Sequence, residues 1–252
     1  MNVLFFSPTR TSAKVAQAIA QGMGITTYNE TDLTYESGPY PPLSDGITII
    51  AAPVYAGRIT RTAVERLSHI RGNGGPAIVV ALYGNRDYED ALAELQDLAD
   101  QAGFRTIAAA AFIGEHSYSR PGMPIAEGRP DKTDLDIAFR FGQSILQKLN
   151  SANPYSTPAV PGNRPYVDKG PFTPATPVTE ESLCTQCQTC IDYCPTGAIS
   201  LQDEIESDIN LCIKCCACVK ICPNEARIFH TPYTELLHKK CAQRREPEIF
   251  MD

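Results

Sequence analysis

Cysteine spacing constrains this chain more than any other feature. Eight of the ten cysteines fall into two copies of C-x2-C-x2-C-x3-C-P. The first copy is Cys184, Cys187, Cys190, Cys194 and Pro195; the second is Cys212, Cys215, Cys218, Cys222 and Pro223. The x2 spacings let three sulfurs converge from one tight turn, and the proline ends that turn. A disulfide framework would need an oxidising compartment, and these cysteines crowd one short segment of a larger chain. Zinc sites favour C-x2-C pairs separated by a longer spacer. Soft thiolates at this spacing point instead to iron–sulfur clusters. Cys216 lies inside the second run but out of register, so it is expected to be a packed or semi-exposed thiol. Cys241 has no partner pattern and is expected to be an idle surface thiol.

The residues around the cysteines repeat as well. LCTQCQTCIDYCPTGAI at 183–199 echoes LCIKCCACVKICPNEAR at 211–227. A segment of that size buries little core, so bound clusters must supply folding energy. Residues 179–230 hold three basic and eight acidic side chains. Such a surface suits docking to a basic patch on a redox partner protein. The net charge of −7 argues against nucleic acid or an acidic membrane as partner. No stretch approaches the length of a membrane-spanning helix. The N-terminus, MNVLFFSPTR, lacks a basic region followed by a long apolar run, so a cytoplasmic location is expected.

The first 150 residues alternate short apolar runs with helical patterns, which predicts an α/β parallel sheet with crossover helices. Strands are expected at 3–6, 25–29, 46–53, 76–84 and 104–113, and helices at 11–22, 60–70, 87–102 and 133–149. Five strands with intervening helices predict a doubly wound sheet. Residues 151–178 are rich in proline (Pro154, Pro158, Pro161, Pro165, Pro171, Pro174 and Pro177) and read as a semi-rigid linker laid over one or both domains. The expected segments are therefore 1–150, 151–178, 179–230 and a polar tail at 231–252 that forms a short docking helix.

Ligands of doubly wound sheets bind outside the carboxyl ends of the strands. The first strand ends in Ser7-Pro8-Thr9-Arg10-Thr11-Ser12 and enters a helix. Hydroxyls and backbone N–H groups at a helix N-terminus suit a phosphate monoester. The third strand ends in Pro53-Val54-Tyr55-Ala56-Gly57-Arg58, and the fourth in Tyr83-Gly84-Asn85-Arg86-Asp87-Tyr88. Gly84 would let the backbone approach a ligand closely. These loops resemble the FMN-binding loops of flavodoxins. The resemblance implies that Ser7, Thr9, Thr11 and Ser12, with Arg10 where flavodoxins usually carry glycine, surround the FMN phosphate. It further implies that Pro53, Val54, Tyr55, Ala56, Gly57, Tyr83, Gly84, Asn85, Arg86 and Tyr88 border the flavin ring. The chain has no tryptophan, so stacking would fall to Tyr55 or Tyr88. His116, after the fifth strand, would sit on the same rim. No G-x-G-x-x-G follows the first strand, and no hydrolase motif is present.

The chain as a whole resembles a flavodoxin fused to a bacterial-type two-cluster ferredoxin, an α/β domain followed by a small α+β domain. In such ferredoxins the fourth cysteine of each run ligates the other cluster. The resemblance thus implies two [4Fe-4S] clusters, one on Cys184, Cys187, Cys190 and Cys222, the second on Cys212, Cys215, Cys218 and Cys194. It implies electron relay between the clusters, FMN and redox partner proteins. Two other expectations stay open. One is an FMN-dependent reductase of a small molecule (a quinone, nitro compound or disulfide) fed by the clusters. The other is a ferredoxin carrying a flavin-free docking domain.

Overall fold

The computed structural model describes residues 1–251 apart from 36, 73, 171 and 172; Pro171 of the proline-rich segment therefore lies outside the described residues. Five strands run parallel: β1 (Asn2–Phe5), β2 (Asn29–Asp32), β3 (Thr48–Tyr55), β5 (Pro76–Tyr83) and β6 (Arg105–Ile113), with the two-residue β4 (Arg58–Ile59) folded back on β3. Their spatial order is β2-β1-β3-β5-β6, the flavodoxin-like order of a doubly wound sheet. The runs VLFF, TIIAAP and AIVVALY read as buried on both faces because they are: helices cover each side of the sheet.

One face packs α1 (Thr11–Gly22) and α4 (Lys132–Leu149) on Val3, Phe5, Ile78, Val80 and Phe112. Gly142 permits the close crossing of these helices, since a Cβ there would lie 2.2 Å from the Ile19 carbonyl oxygen. The other face packs α2 (Arg61–Ser68) and α3 (Ala91–Gln101) on Leu4, Phe6, Ile50, Val79 and Tyr83.

Three expectations shift. The second strand lies at Asn29–Asp32, not 25–29, because the parallel register with β1 pairs Asn2 with Asn29 and Phe5 with Asp32. The helix expected from residue 87 starts at Ala91; Tyr88 to Asp90 form the turn before it, with Glu89 at φ 44°. The tail does more than dock a helix. After α7 (Pro232–Lys240), β11 (Glu248–Phe250) returns to the sheet and pairs antiparallel with Ala109–Ala111 of β6. Arg244 clamps the tail to Asp131 at 2.7 Å, which holds the Asp131 carboxyl down at about 2, and the buried Arg129–Asp134 pair donates to the Arg245 carbonyl.

The proline-rich segment lies along α3. Asp90 accepts from the backbone N–H groups of Asn163 and Val167, and Asp97 pairs with Arg164 and accepts from the Tyr166 hydroxyl at 2.6 Å.

The cysteine-rich region is built from two similar halves. Helices α5 (Thr189–Asp192) and α6 (Ala217–Ile221) face each other, flanked by the hairpin β8 (Ile199–Leu201) with β9 (Ile205–Ser207) and the pair β7 (Val178–Thr179) with β10 (Arg227–Ile228). The sequence repeat is a backbone repeat: Gln186 and Gln188 in one half, and Lys214 and Cys216 in the other, all take positive φ between 52° and 62°. The Ala198 N–H donates to Cys194 Sγ and the Ala226 N–H to Cys222 Sγ, both at 3.2 Å.

Candidate functional site

The carboxyl ends of β1, β3, β5 and β6 open into a cleft of about 740 Å³. Its floor is the loop from Pro8 to Ser12. Helix α1 carries no acidic residue in its first turn and its N-cap residue Arg10 makes no side-chain cap, so its positive end, at Thr11 and Ser12, borders this space. Thr9, Thr11 and Ser12 line the cleft, and Ser12 Oγ is buried without a hydrogen-bond partner. A buried hydroxyl left in that state calls for an acceptor. A phosphate monoester fits it, the helix end and the cleft together.

Ser7 and Arg10 stand elsewhere. Ser7 shapes the loop: its hydroxyl accepts from the Ala13 N–H at 3.1 Å, and its N–H donates to Thr34. Arg10 takes the left-handed conformation (φ 63°) that favours the glycine usual at this position, at a cost on the order of 1–3 kcal/mol. Its side chain turns outward to Asp32 at 3.2 Å and over the Phe5 ring, so it does not line the cleft.

Pro53, Val54, Tyr55 and Ala56 form one wall, and Tyr83, Gly84 and Arg86 the next. Gly57, Asn85 and Tyr88 are outside it. Gly57 admits Glu89, whose carboxylate would meet a Cβ there at 2.4 Å. Asn85 anchors the tail, donating to the carbonyls of Cys241 and Gln243 and accepting from the Arg245 N–H. Tyr88 is buried against Tyr83 and donates to Glu248 at 2.8 Å. Cys241 is likewise buried beneath the tail, not idle at the surface.

His116 packs flat against Gly84; a Cβ on Gly84 would lie 2.3 Å from the imidazole. Burial, with Arg86 and Lys220 nearby, lowers its pKa to about 4, so the ring is neutral at pH 7. Its Nδ1 accepts from the Tyr118 N–H at 3.0 Å, which places the ring proton on Nε2.

Much of the cleft comes from beyond the α/β sheet. Ile213, Lys214, Phe229 and His230 of the cysteine-rich region form the far wall, and Tyr233, Leu236, Leu237 and Lys240 of α7 close the top. These residues carry no local motif; only tertiary packing brings them to the strand ends. The regions meet through Lys220–Glu115 at 2.5 Å, Tyr118 on Phe229, and Arg66, which donates to the Pro195 carbonyl at 2.6 Å.

The eight run cysteines gather into two groups. Cys184, Cys187, Cys190 and Cys222 surround one small cavity; Cys194, Cys212, Cys215 and Cys218 surround a second. Each group draws three members from one run and the fourth from the other. Among the described residues no three His, Cys, Asp or Glu side chains converge on a single metal ion. Cys216 is buried beside the second group; burial first, and then Cys215 and Cys218, pushes its pKa up and keeps it a neutral thiol.

Residues 177–200 match the 4Fe-4S binding domain model, and this stretch holds the first cysteine run. The chain joins a flavodoxin-like α/β domain to a ferredoxin-type iron–sulfur domain. Its flavodoxin-like part is similar to a solved flavodoxin from the domain Archaea, at 12% identity over 60% of this chain and 98% of that chain, with a TM-score of 0.35. It is similar to a flavodoxin of Streptococcus pneumonia TIGR4 at 13% identity, over 58% of this chain and 97% of that one, with a TM-score of 0.37. It is also similar to the rubredoxin oxygen:oxidoreductase of the anaerobe Desulfovibrio gigas at 14% identity, over 59% of this chain and 35% of that one, with a TM-score of 0.44. No curated protein matches the chain. No helix among the described residues is long and apolar enough to cross a membrane.

Proposed function

We propose that this protein relays electrons between redox partners through two [4Fe-4S] clusters and one FMN. The observation that carries the reading is the placement of the second cysteine group against the cleft. Ile213 and Lys214, the two residues between Cys212 and Cys215, are part of the cleft wall. When bound, each cluster would hold one electron and FMN one or two, so their junction would join one-electron to two-electron chemistry.

The residues divide this work. Thr9, Thr11, Ser12 and the start of α1 would hold the phosphate, and the 53–56 and 83–86 loops would flank the ring. Tyr55 and Tyr118 stand between the cleft and the second group; burial raises both pKa values, with Cys215 and Cys216 adding at Tyr55 and Cys216 and Cys212 at Tyr118, so both phenols stay protonated. The first group lies at the opposite end. Cys187 is exposed, and Glu181, Asp203, Glu204 and Glu206 are close enough that the Glu204 carboxyl is raised, mainly by its hydrogen bond to Glu181. An exposed ligand and a cluster of carboxylates in the same domain suit docking of a basic redox protein.

The test is cofactor content of anaerobically purified protein, followed by stepwise reductive titration. One FMN with eight irons and eight sulfides per chain is the expected result. Eight irons without flavin would leave a ferredoxin with a docking domain and sink the relay. A second reading, a flavin-dependent reductase of a small molecule, is favoured by one feature: His116, a neutral imidazole with its proton on Nε2, lines a roomy cleft as a hydrogen-bond donor. Reduction of a quinone by cluster-reduced protein, abolished in His116→Phe with relay to a partner protein retained, would favour it.

A further inference from the structure

At one buried position the internal repeat exchanges an apolar side chain for a charged one. With an offset of 28 residues, Cys194 matches Cys222, Ala198 matches Ala226 and Ile199 matches Arg227. The matching N–H···Sγ bonds of Ala198 and Ala226 show that the backbones keep this register. Ile199 packs in the small apolar core beside Cys190, Ile205 and Cys218. Its counterpart is an arginine only 3% exposed.

A guanidinium cannot shed its proton, so Arg227 buries a full positive charge. Burying an ion costs several kcal/mol unless an opposite charge compensates it. Among the described residues no carboxylate pairs with Arg227. Its partners are the Thr179 hydroxyl at 2.6 Å, the Ser207 hydroxyl at 2.5 Å and the Pro177 carbonyl at 3.1 Å, all neutral. Nε is buried with no partner at all. The side chain lines the cavity ringed by Cys184, Cys187, Cys190 and Cys222, and its charge also acts on Cys218 of the other group. The compensating charge is therefore expected on both sides of it, from the thiolates and the clusters they hold.

We propose that Arg227 is a positioning residue for the iron–sulfur centres, a buried counter-cation between the two cysteine groups that favours the reduced state of the clusters. The inference rests on the two-cluster reading. Reduction adds one electron to a cluster from an external donor, with no bond made or broken and no proton moved, so the cluster charge falls by one. A fixed cation between the groups stabilises the more negative state and raises the reduction potential.

The experiment uses the full chain, purified anaerobically, with dithionite as donor and the reduced clusters followed by electron paramagnetic resonance. Arg227→Ile restores the residue of the first half. With eight irons bound, it is expected to lower the reduced-to-oxidised ratio of at least one cluster about tenfold at fixed potential, which is 59 mV for a one-electron couple. Arg227→Lys, which keeps the charge, is expected to stay near wild type. Arg227→Ile with eight irons and unchanged potentials would overturn the proposal. Should Arg227→Ile fail to take up iron, Arg227→Gln serves under the same criterion. Loss of iron in both neutral variants but not in Arg227→Lys would support a required cation; loss in all three would refute it in favour of a packing role. Fewer than eight irons in the wild type would refute the two-cluster reading, independently of any potential.

Discussion

Ser12→Ala should move two equilibria in opposite directions. Ser12 Oγ is buried with no hydrogen-bond partner among the described residues. An unsatisfied buried hydroxyl costs about 1–3 kcal/mol, and removing it recovers part of that. The variant should therefore be more stable without flavin, by about 1 kcal/mol. With FMN bound, the same hydroxyl would donate to a charged phosphate, a hydrogen bond worth about 1.5–3 kcal/mol. At 1.4 kcal/mol per tenfold, FMN should bind about 10- to 150-fold more weakly. Riboflavin lacks the phosphate and should bind both proteins equally. The assay is quenching of flavin fluorescence on titrating flavin-stripped, cluster-replete protein, paired with thermal melting of that protein before flavin is added. An FMN affinity within twofold of wild type would refute the assignment of this loop to the phosphate. So would equal weakening of FMN and riboflavin, because the hydroxyl would then act on ring or packing.

Other perturbations probe the rest of the cleft. Gly84→Ala places a methyl group 2.3 Å from the His116 ring, so thermal melting of the flavin-free protein should show a loss of about 1–3 kcal/mol. Iron content should be unchanged. His116, held at about 4 against an ordinary 6.5, protonates in the unfolded chain first as pH falls, so it should cost nothing near pH 8 and progressively more from 6.5 toward 4. The limit is about 3 kcal/mol; urea melts of wild type against His116→Gln between pH 5 and 7 should diverge accordingly. Truncation after residue 230 removes β11 and the α7 wall, and should abolish flavin retention while leaving iron content intact; retained flavin would show that the tail is no part of the site.

What the sequence discloses here depends on whether the signal is local. Cysteine spacing is local chemistry, and the eight run cysteines gather around two cavities. The central strands are legible because helices on both faces leave them uniformly apolar, as in Thr48–Tyr55 and Pro76–Tyr83. Edge strands are not. Asn29–Asp32 reads NETD and Glu248–Phe250 reads EIF, and each becomes a strand only because a partner edge is available. Asn85 and Tyr88 sit in a loop that resembles a flavin loop, yet both side chains serve the returning tail, whose destination no local pattern announces. Arg10 departs from the expected glycine, and the backbone adopts the glycine-like conformation regardless.

The two halves of the cysteine-rich domain share one ligand pattern but not one environment, and the proposed relay depends on that difference. Cys187 is exposed, and its sulfur lies 3.4 Å from the Thr189 hydroxyl. Its counterpart Cys215 is buried, and Ala217 stands where Thr189 would. Burial in a low-dielectric surrounding disfavours the more negative, reduced state, and a hydroxyl on sulfur favours it. The pattern alone therefore makes two equal centres, and the packing makes them unequal. The group that holds the exposed Cys187 is the better hydrated; the group against the cleft has two buried cysteines, Cys215 and Cys218, with a neutral thiol, Cys216, beside it. Left there, the inner centre would resist reduction and stall transfer toward the cleft. Arg227 lines the cavity of the outer group, and its charge also acts on Cys218 of the inner one, so a counter-cation there would offset part of the penalty. On the proposed reading, the buried arginine that replaces Ile199 in the second half would bring the inner centre within reach of the outer one.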